Sequence, residues 1–265
     1  MSFRRTVARP LELEGVGLHS GKPVEMTVAP GDDGIAVTYG PHRVPAVPAE
    51  VTGTARCTRL GQVSTVEHLL SALAGVGVTD AEITVSAPEI PGCDGSALVF
   101  ADALIGCGMR RLAPRMAPRL RHTVEYEQDG TRIRVSPGTG RWQCTYDLGA
   151  RWPGAQTVTA WLPEEYAELV APARTIVLAE EMEAARQQQL GRGLDEGSVV
   201  VIGEQAYAGP VRFPDEPARH KLLDLIGDLY LSGLPVHALD VEAYRCGHTA
   251  NLRVAHMLVE AVRRT

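Results

Sequence analysis

Aromatic residues are scarce in this chain: Phe, Trp and Tyr make up 5% of its 265 residues. A platform that stacks single-stranded bases needs more of them. Positive charge is not in excess either, with 26 Lys and Arg against 32 acidic side chains and a net charge of −6. That balance argues against general binding to nucleic acid or to an anionic membrane surface. No apolar run is long enough to span a bilayer. The stretch from Met1 to Pro10 has no apolar segment after its charges, so no secretory signal is read. The cysteines, Cys57, Cys93, Cys107, Cys144 and Cys246, are odd in number, far apart and without a C-x-x-C pair. They read as free thiols, and a cytoplasmic location is the expectation. Several catalytic signatures are absent: H-E-x-x-H, a P-loop and G-x-S-x-G. Gly15-Val-Gly-Leu-His-Ser-Gly has the wrong spacing for a dinucleotide loop.

What the chain does contain is an internal repeat. Thr65-Val-Glu-His-Leu-Leu-Ser-Ala-Leu-Ala-Gly and Ala218-Arg-His-Lys-Leu-Leu-Asp-Leu-Ile-Gly align with His68 on His220, Leu70 on Leu222, Leu73 on Leu225 and Gly75 on Gly227. Each copy is followed by a β-like run, Ala81 to Val85 and Ala238 to Ala243, then by an amphipathic helix, Ala97 to Leu104 and Ala250 to Val262. The repeat and the length favour two domains over one. In the first half, short runs at Val7 to Leu13, Val24 to Val28, Gly34 to Tyr39 and Glu50 to Arg56 read as strands. Ser64 or Thr65 is the expected N-cap of the helix that follows. Pro114 to Pro118 reads as a linker. The second half restarts with strands at Thr123 to Glu127, Thr131 to Val135 and Trp142 to Asp147. A polar helix is expected at Pro163 to Val170, and a second at Glu180 to Gln189 ending on Gly191. Val199 to Ile202 reads as a strand. The segment at about 176–209 has no counterpart in the first half and reads as an insertion. The fold class is therefore α+β: two similarly folded domains, 1–113 and 119–265, each layering helices on a β-sheet.

His220, Asp224 and Asp228 fall at i, i+4 and i+8, so they share one stripe of an otherwise apolar helix. A polar line there is solvated, paired or functional. His68 occupies the matching place in the other half, preceded by Glu67. Two histidines and one carboxylate make a usual catalytic zinc set with a fourth position open to water. Iron(II) suits the same donors. Glu67 beside such a site could take a proton from that water; as an ordinary residue it would only complement the helix dipole. His248, in Arg245-Cys-Gly-His, is expected on a glycine turn where it could serve as an acid, with Asp228 holding its cation. His19 lies in a similar glycine-rich turn. His42, His122, His237 and His256 have no such company and read as structural or surface residues.

These residues resemble the UDP-3-O-acyl-N-acetylglucosamine deacetylase family, zinc amidases of lipid A biosynthesis. The resemblance covers nearly the whole chain. It is carried by Gly15-Val-Gly-Leu-His-Ser-Gly-Lys, Ser64-Thr-Val-Glu-His-Leu-Leu-Ser-Ala-Leu, Ala87-Pro-Glu-Ile-Pro-Gly-Cys-Asp-Gly-Ser, Ala173-Arg-Thr, Arg219-His-Lys-Leu-Leu-Asp-Leu-Ile-Gly-Asp-Leu and Gly247-His. It implies two similar domains with the active site between them. It further implies one zinc ion on His68, His220 and Asp224, Glu67 as general base, and His248 as cationic partner or acid oriented by Asp228. Thr175 would be a donor to the oxyanion. Lys221 and Arg245 suit a diphosphate, and His19 lies in the first glycine-rich motif. Ile176, Val177 and Leu178 fall where the family contacts sugar and acyl chain. The implied partner is a UDP-sugar bearing an acyl chain, bound by a monomer. Four features depart from the family pattern. Ile176 and Val177 replace an aromatic after Thr175, and the glycine-pair segment is shortened to Asp195-Glu-Gly-Ser198. A basic residue is missing near Ser136-Pro137, and the first-domain insert before Cys57 is short. A divergent deacetylase acting on another N-acetylated sugar, and a non-catalytic binding or regulatory homologue, are the alternative readings.

Overall fold

The computed structural model describes residues 4–114 and 118–263, so the middle of the expected 114–118 linker lies outside the described residues. The first half contains β1 (Arg5–Val7), β2 (Leu11–Val16), β3 (Pro23–Pro30), β4 (Ile35–Tyr39), β5 (His42–Pro45), β6 (Val51–Gly53), β7 (Arg59–Leu60), α1 (Val66–Val76), β8 (Ala81–Val85), α2 (Leu98–Cys107) and β9 (Met109–Arg111). The second contains β10 (Val124–Gln128), β11 (Thr131–Pro137), β12 (Arg141–Asp147), β13 (Ala155–Trp161), β14 (Thr175–Leu178), α3 (Met182–Gln187), β15 (Val199–Ile202), α4 (Glu216–Tyr230), β16 (Leu239–Tyr244) and α5 (His248–Arg263).

Each half builds one five-stranded sheet, and the two sheets have the same strand order: β2-β3-β8-β4-β5 and β10-β11-β16-β12-β13. In each, the last strand in sequence inserts into the centre. It pairs antiparallel with one neighbour, Met26 opposite Val85 and Ile133 opposite Ala243. It pairs parallel with the other, Val37 opposite Ile83 and Cys144 opposite Ala243. The parallel pair cannot be closed by a tight turn and needs a helical crossover, which α1 and α4 supply. Alternation along the strands sends Val24, Met26, Val28, Ile83 and Val85 of one sheet, and Ile133, Val135, Trp142, Cys144 and Val241 of the other, into a single buried core. The opposite faces stay polar, with ion pairs Arg43–Glu82 and Arg141–Glu242 across strands. The helices pack between the two apolar faces, α1 against α4 and α4 against α5, giving a layered α+β molecule of two similarly arranged units.

Local chemistry corrects several expected boundaries. The run Val7 to Leu13 is two strands, because the chain turns through Pro10 and β1 leaves to pair with β9, a strand with no clear periodicity of its own. Glu50 to Arg56 is extended only over β6. Of the polar helix at Pro163 to Val170, only one wide turn forms, Tyr166–Val170, which buries Tyr166 and Val170. The helix expected from Glu180 to Gln189 is the short α3, whose C-cap is Gln188 rather than Gly191. Thr65 is the N-cap of α1, but its hydroxyl makes no cap bond; it donates to Glu89 instead. His248 is not on a turn but is the first residue of α5. The segment at 176–209 contributes most of a small β-α-β unit: β14 and β15 run parallel, Thr175 opposite Val199 and Leu178 opposite Ile202, with α3 between them.

Candidate metal centre

The centre forms where α1 meets α4. Val66 to Gly75 is buried throughout, so α1 is a core helix from its first turn. Its close approach to α4 depends on Gly227: a Cβ there would lie 2.1 Å from the carbonyl oxygen of Glu67. At the equivalent place in the repeat, Gly75 leaves room for the Tyr166 ring, which a Cβ would meet at 2.2 Å. Matched glycines thus let backbone and ring come in, and they bring residues 67 and 68 beside residues 220 and 224.

His68 and His220 face each other edge to face, with ring centroids 5.1 Å apart. Their Nε2 atoms lie 3.7 Å and 3.5 Å from the same oxygen of Asp224, Oδ1. Nδ1 of His220 donates to the carbonyl of Ala173 at 3.2 Å, which leaves a lone pair on Nε2. All three side chains are buried. Burial, followed by the neighbouring His220, pushes His68 down to about 3. Burial also lowers His220, against the pull of Asp224. Burial works to raise Asp224, but His220, Lys221, His248 and His68 together hold it well below the usual carboxylate range. Two neutral imidazoles and an ionised carboxylate converging on one point are a fitting donor set for a divalent cation.

Next to this group lies a second polar cluster. Glu67 accepts from the backbone N–H of Thr58 at 2.9 Å. Burial pushes Glu67 up to about 8, with His248 drawing it back and Asp224 and Asp228 adding to the rise. Burial thus favours its neutral form even with the His248 cation beside it, and the further positive charge of a metal ion among the three neighbours is what would ionise it. Nδ1 of His248 donates to Oδ2 of Asp228 at 2.9 Å, and Nε2 lies 3.9 Å from Asp224. Burial opposes the charge on His248, yet Asp228, Asp224 and Glu67 raise it to about 10, so it is a cation at neutral pH. Among the described residues two trios could chelate a cation: His68, His220 and Asp224, or Glu67, Asp224 and His248. The second requires a lone pair from a protonated histidine and is the poorer set.

The other expected residues lie further out. Nζ of Lys221 donates to Oδ2 of Asp224 at 2.9 Å, and although burial works to lower its pKa, Asp224 raises it. Thr175 begins β14, two residues after the carbonyl that holds His220, and its N–H donates to Gly95 at 2.7 Å. Ile176, Val177 and Leu178 are all half-buried. The guanidinium of Arg245 turns to Asp147 at 3.1 Å and to the Tyr244 ring, on the exposed rim. His19 sits near enough that the His248 charge adds to the burial lowering its pKa. Its Nδ1 is buried and has no hydrogen-bond partner among the described residues. His42, His122, His237 and His256 are exposed. Three contributors carried little sequence signal. Glu89 receives the N–H groups of His19 and Ser20 at 2.7 and 3.0 Å and so fixes the glycine-rich turn. Asn251 donates to Asp228 at 2.9 Å from one turn along α5, a spacing from His248 that could have been read. Thr58, between β6 and β7, has no periodic context at all. A groove of about 1020 Å³ runs along the C-terminal ends of α1 and α4, past Val76, Tyr230, His237 and His256, and none of the residues of the metal centre lines it.

Comparison with known proteins identifies the family. The model of the UDP-3-O-acyl N-acetylglycosamine deacetylase family matches residues 4–260. The chain belongs to this family. UDP-3-O-acyl-N-acetylglucosamine deacetylase of Chlamydia muridarum is 36% identical over 275 residues, covering 98% of this chain and 96% of the relative. The Chlamydia trachomatis deacetylase is 35% identical with the same coverage. That of Myxococcus xanthus is 34% identical over 98% of this chain and 86% of its own length. Membership in the deacetylase family and the His68–His220–Asp224 cluster together support zinc-dependent deacetylase activity at the level of the family. Among the described residues, no helix is long and apolar enough to cross a membrane.

Proposed function

We propose that this chain removes the acetyl group from UDP-3-O-acyl-N-acetylglucosamine by hydrolysis, releasing acetate, as a cytoplasmic monomer whose domains divide at 113 and 119. The observation that carries the reading is the meeting of His68, His220 and Asp224 with a separately buried Glu67 and a cationic His248. His68, His220 and Asp224 would hold zinc, or iron(II) in its place. Such a cation supplies Lewis acidity toward the amide carbonyl and the attacking water. Glu67 takes the proton from that water. His248 holds a proton on Nε2 for the departing nitrogen, while Asp228 fixes the ring through Nδ1. The Thr175 hydroxyl donates to the charge developing on the carbonyl oxygen. Lys221, Arg245 and His19 would meet the diphosphate.

Support for the acyl chain comes from the β14-α3-β15 unit. Ile176, Val177 and Leu178 are half-buried on both faces of their strand, and α3 buries no residue. Apolar surface is left for a ligand, but the walls are open. Full burial of each CH₂ contributes about 0.8 kcal/mol, or roughly fourfold in kcat/KM. Acetate release from UDP-linked acetamido sugars of increasing 3-O-acyl length tests this directly. The expected result is activity that rises with length less steeply than that. Activity restricted to sugars without an acyl chain would shift the reading to another N-acetylated sugar. No release from any acetamido sugar by a zinc-loaded chain would overturn it.

A further inference from the structure

Resting on that reading, we propose that Thr58 is a positioning residue that ties the base Glu67 of one half to the His248–Asp228 pair of the other. Thr58 is 1% exposed and makes three directed bonds. Its carbonyl accepts from Val66 N–H at 3.2 Å, which anchors the first turn of α1. Its own N–H donates to Oε2 of Glu67 at 2.9 Å. Its hydroxyl donates to Oδ1 of Asp228 at 2.6 Å, a contact between residues 170 apart in sequence. The same hydroxyl lies 3.4 Å from Nδ1 of His248. One residue therefore touches the group that takes a proton and the pair that holds one.

Bond directions make the arrangement specific. A threonine hydroxyl has a single proton. Oδ1 of Asp228 receives it, while Oδ2 receives Nδ1–H of His248 and the amide of Asn251 at 2.9 Å each. The carboxylate is thus held at both oxygens and cannot rotate without losing a charge-assisted bond. With Asp228 fixed, His248 keeps Nδ1 occupied and presents Nε2 toward Asp224. The two backbone bonds of Thr58 do not depend on its side chain. Only the hydroxyl spans the two halves, so it can be removed alone. Without it, Oδ1 of Asp228 loses that donor inside the core and the His248 ring gains freedom to turn. A small misplacement of a proton-holding group costs turnover more than binding.

The test compares Thr58→Val, Thr58→Ser and Asp228→Asn with the parent in zinc-loaded protein. Thr58→Val keeps the shape and both backbone bonds. Its kcat should fall on the order of tenfold to a hundredfold, as for loss of a bond to a charged group. KM and zinc content of the folded variant should stay near parental values, which a general loss of folding would not allow. Thr58→Ser returns the hydroxyl and should recover most of the loss. Adding Thr58→Val to Asp228→Asn should cost little more than Asp228→Asn alone, because the two act as a unit. If Thr58→Val does not fold, Thr58→Ala replaces it in the same comparison. A readout independent of turnover is the proton resonance of His248 Nδ1–H in ¹⁵N-labelled protein. It should move in Thr58→Val and return in Thr58→Ser. An unmoved resonance with unchanged kcat would overturn the role of Thr58. An inactive parent whose resonance still responds would leave that role intact and overturn the proposed reaction instead.

Discussion

Glu67 and His248 carry opposite protonation demands a few ångströms apart, and their surroundings separate them. Glu67 is buried against carboxylates and rises to about 8, so it accepts a proton readily once a cation keeps it ionised. Replacing Glu67 with Gln preserves size and the bond from Thr58 while deleting the base. Turnover should fall on the order of a hundredfold or more, with metal content unchanged. Near-parental turnover in metal-loaded Glu67→Gln would place the base elsewhere. For His248, burial disfavours the charge but Asp228 and Asp224 outweigh it, and the ring stays protonated up to about pH 10. Activity that needs this cation is present below that pH and lost as pH rises through it. Asp228→Asn removes the largest favourable charge, so the alkaline limb of the kcat profile should move to lower pH. A limb that stays in place in both Asp228→Asn and His248→Gln would show that another group sets it.

At the scale of elements, the α1–α4 contact is the joint on which the centre depends. Gly227→Ala would drive a methyl group into the Glu67 carbonyl, 2.1 Å from the new Cβ. Backbone cannot yield there as a side-chain tip would. A loss of about 1–3 kcal/mol is expected, seen as a lower melting temperature together with weaker metal retention. Unchanged retention would mean that α1 can shift without moving His68. The start of α4 depends on a buried ion pair. Glu216 accepts from Arg174 at its backbone N, Nε and Nη2, and from Arg212 N–H. Burial works to raise Glu216, but these donors hold it below its ordinary value. Its contribution is present above the unfolded carboxylate pKa, roughly 4.3, and fades as pH falls through the lower folded value. Glu216→Gln should lower stability at pH 7 by about 3–5 kcal/mol and flatten the acid limb of the melting-temperature profile. An acid limb as steep as the parent's would assign that sensitivity to other groups.

Across the whole molecule, the duplication was legible because it is written in leucines, glycines and one histidine at fixed offsets. Helix existence followed from the same pattern, as did the central strands β8 and β16. The edges were harder to see. β5, β9 and β13 have weak or interrupted alternation, and their pairing is decided by what lies beside them. The residues brought together at the centre were visible because helix spacing places His220, Asp224 and Asp228 on one stripe. Thr58 and Glu89 were not, since they reach the centre from irregular segments that only the folded chain brings near. The substrate-facing residues stand between these cases: Thr175 lies close along the chain to the His220 partner Ala173, whereas Arg245 is engaged with Asp147 and Tyr244 at the rim.

The central claim is that one cation bridges the two halves through His68, His220 and Asp224. Metal content per chain, measured in purified parent, His68→Ala and His220→Ala proteins after equilibration with limiting zinc, tests it most directly. One equivalent is expected in the folded parent and strong loss in both variants. Full occupancy in both folded variants would contradict it.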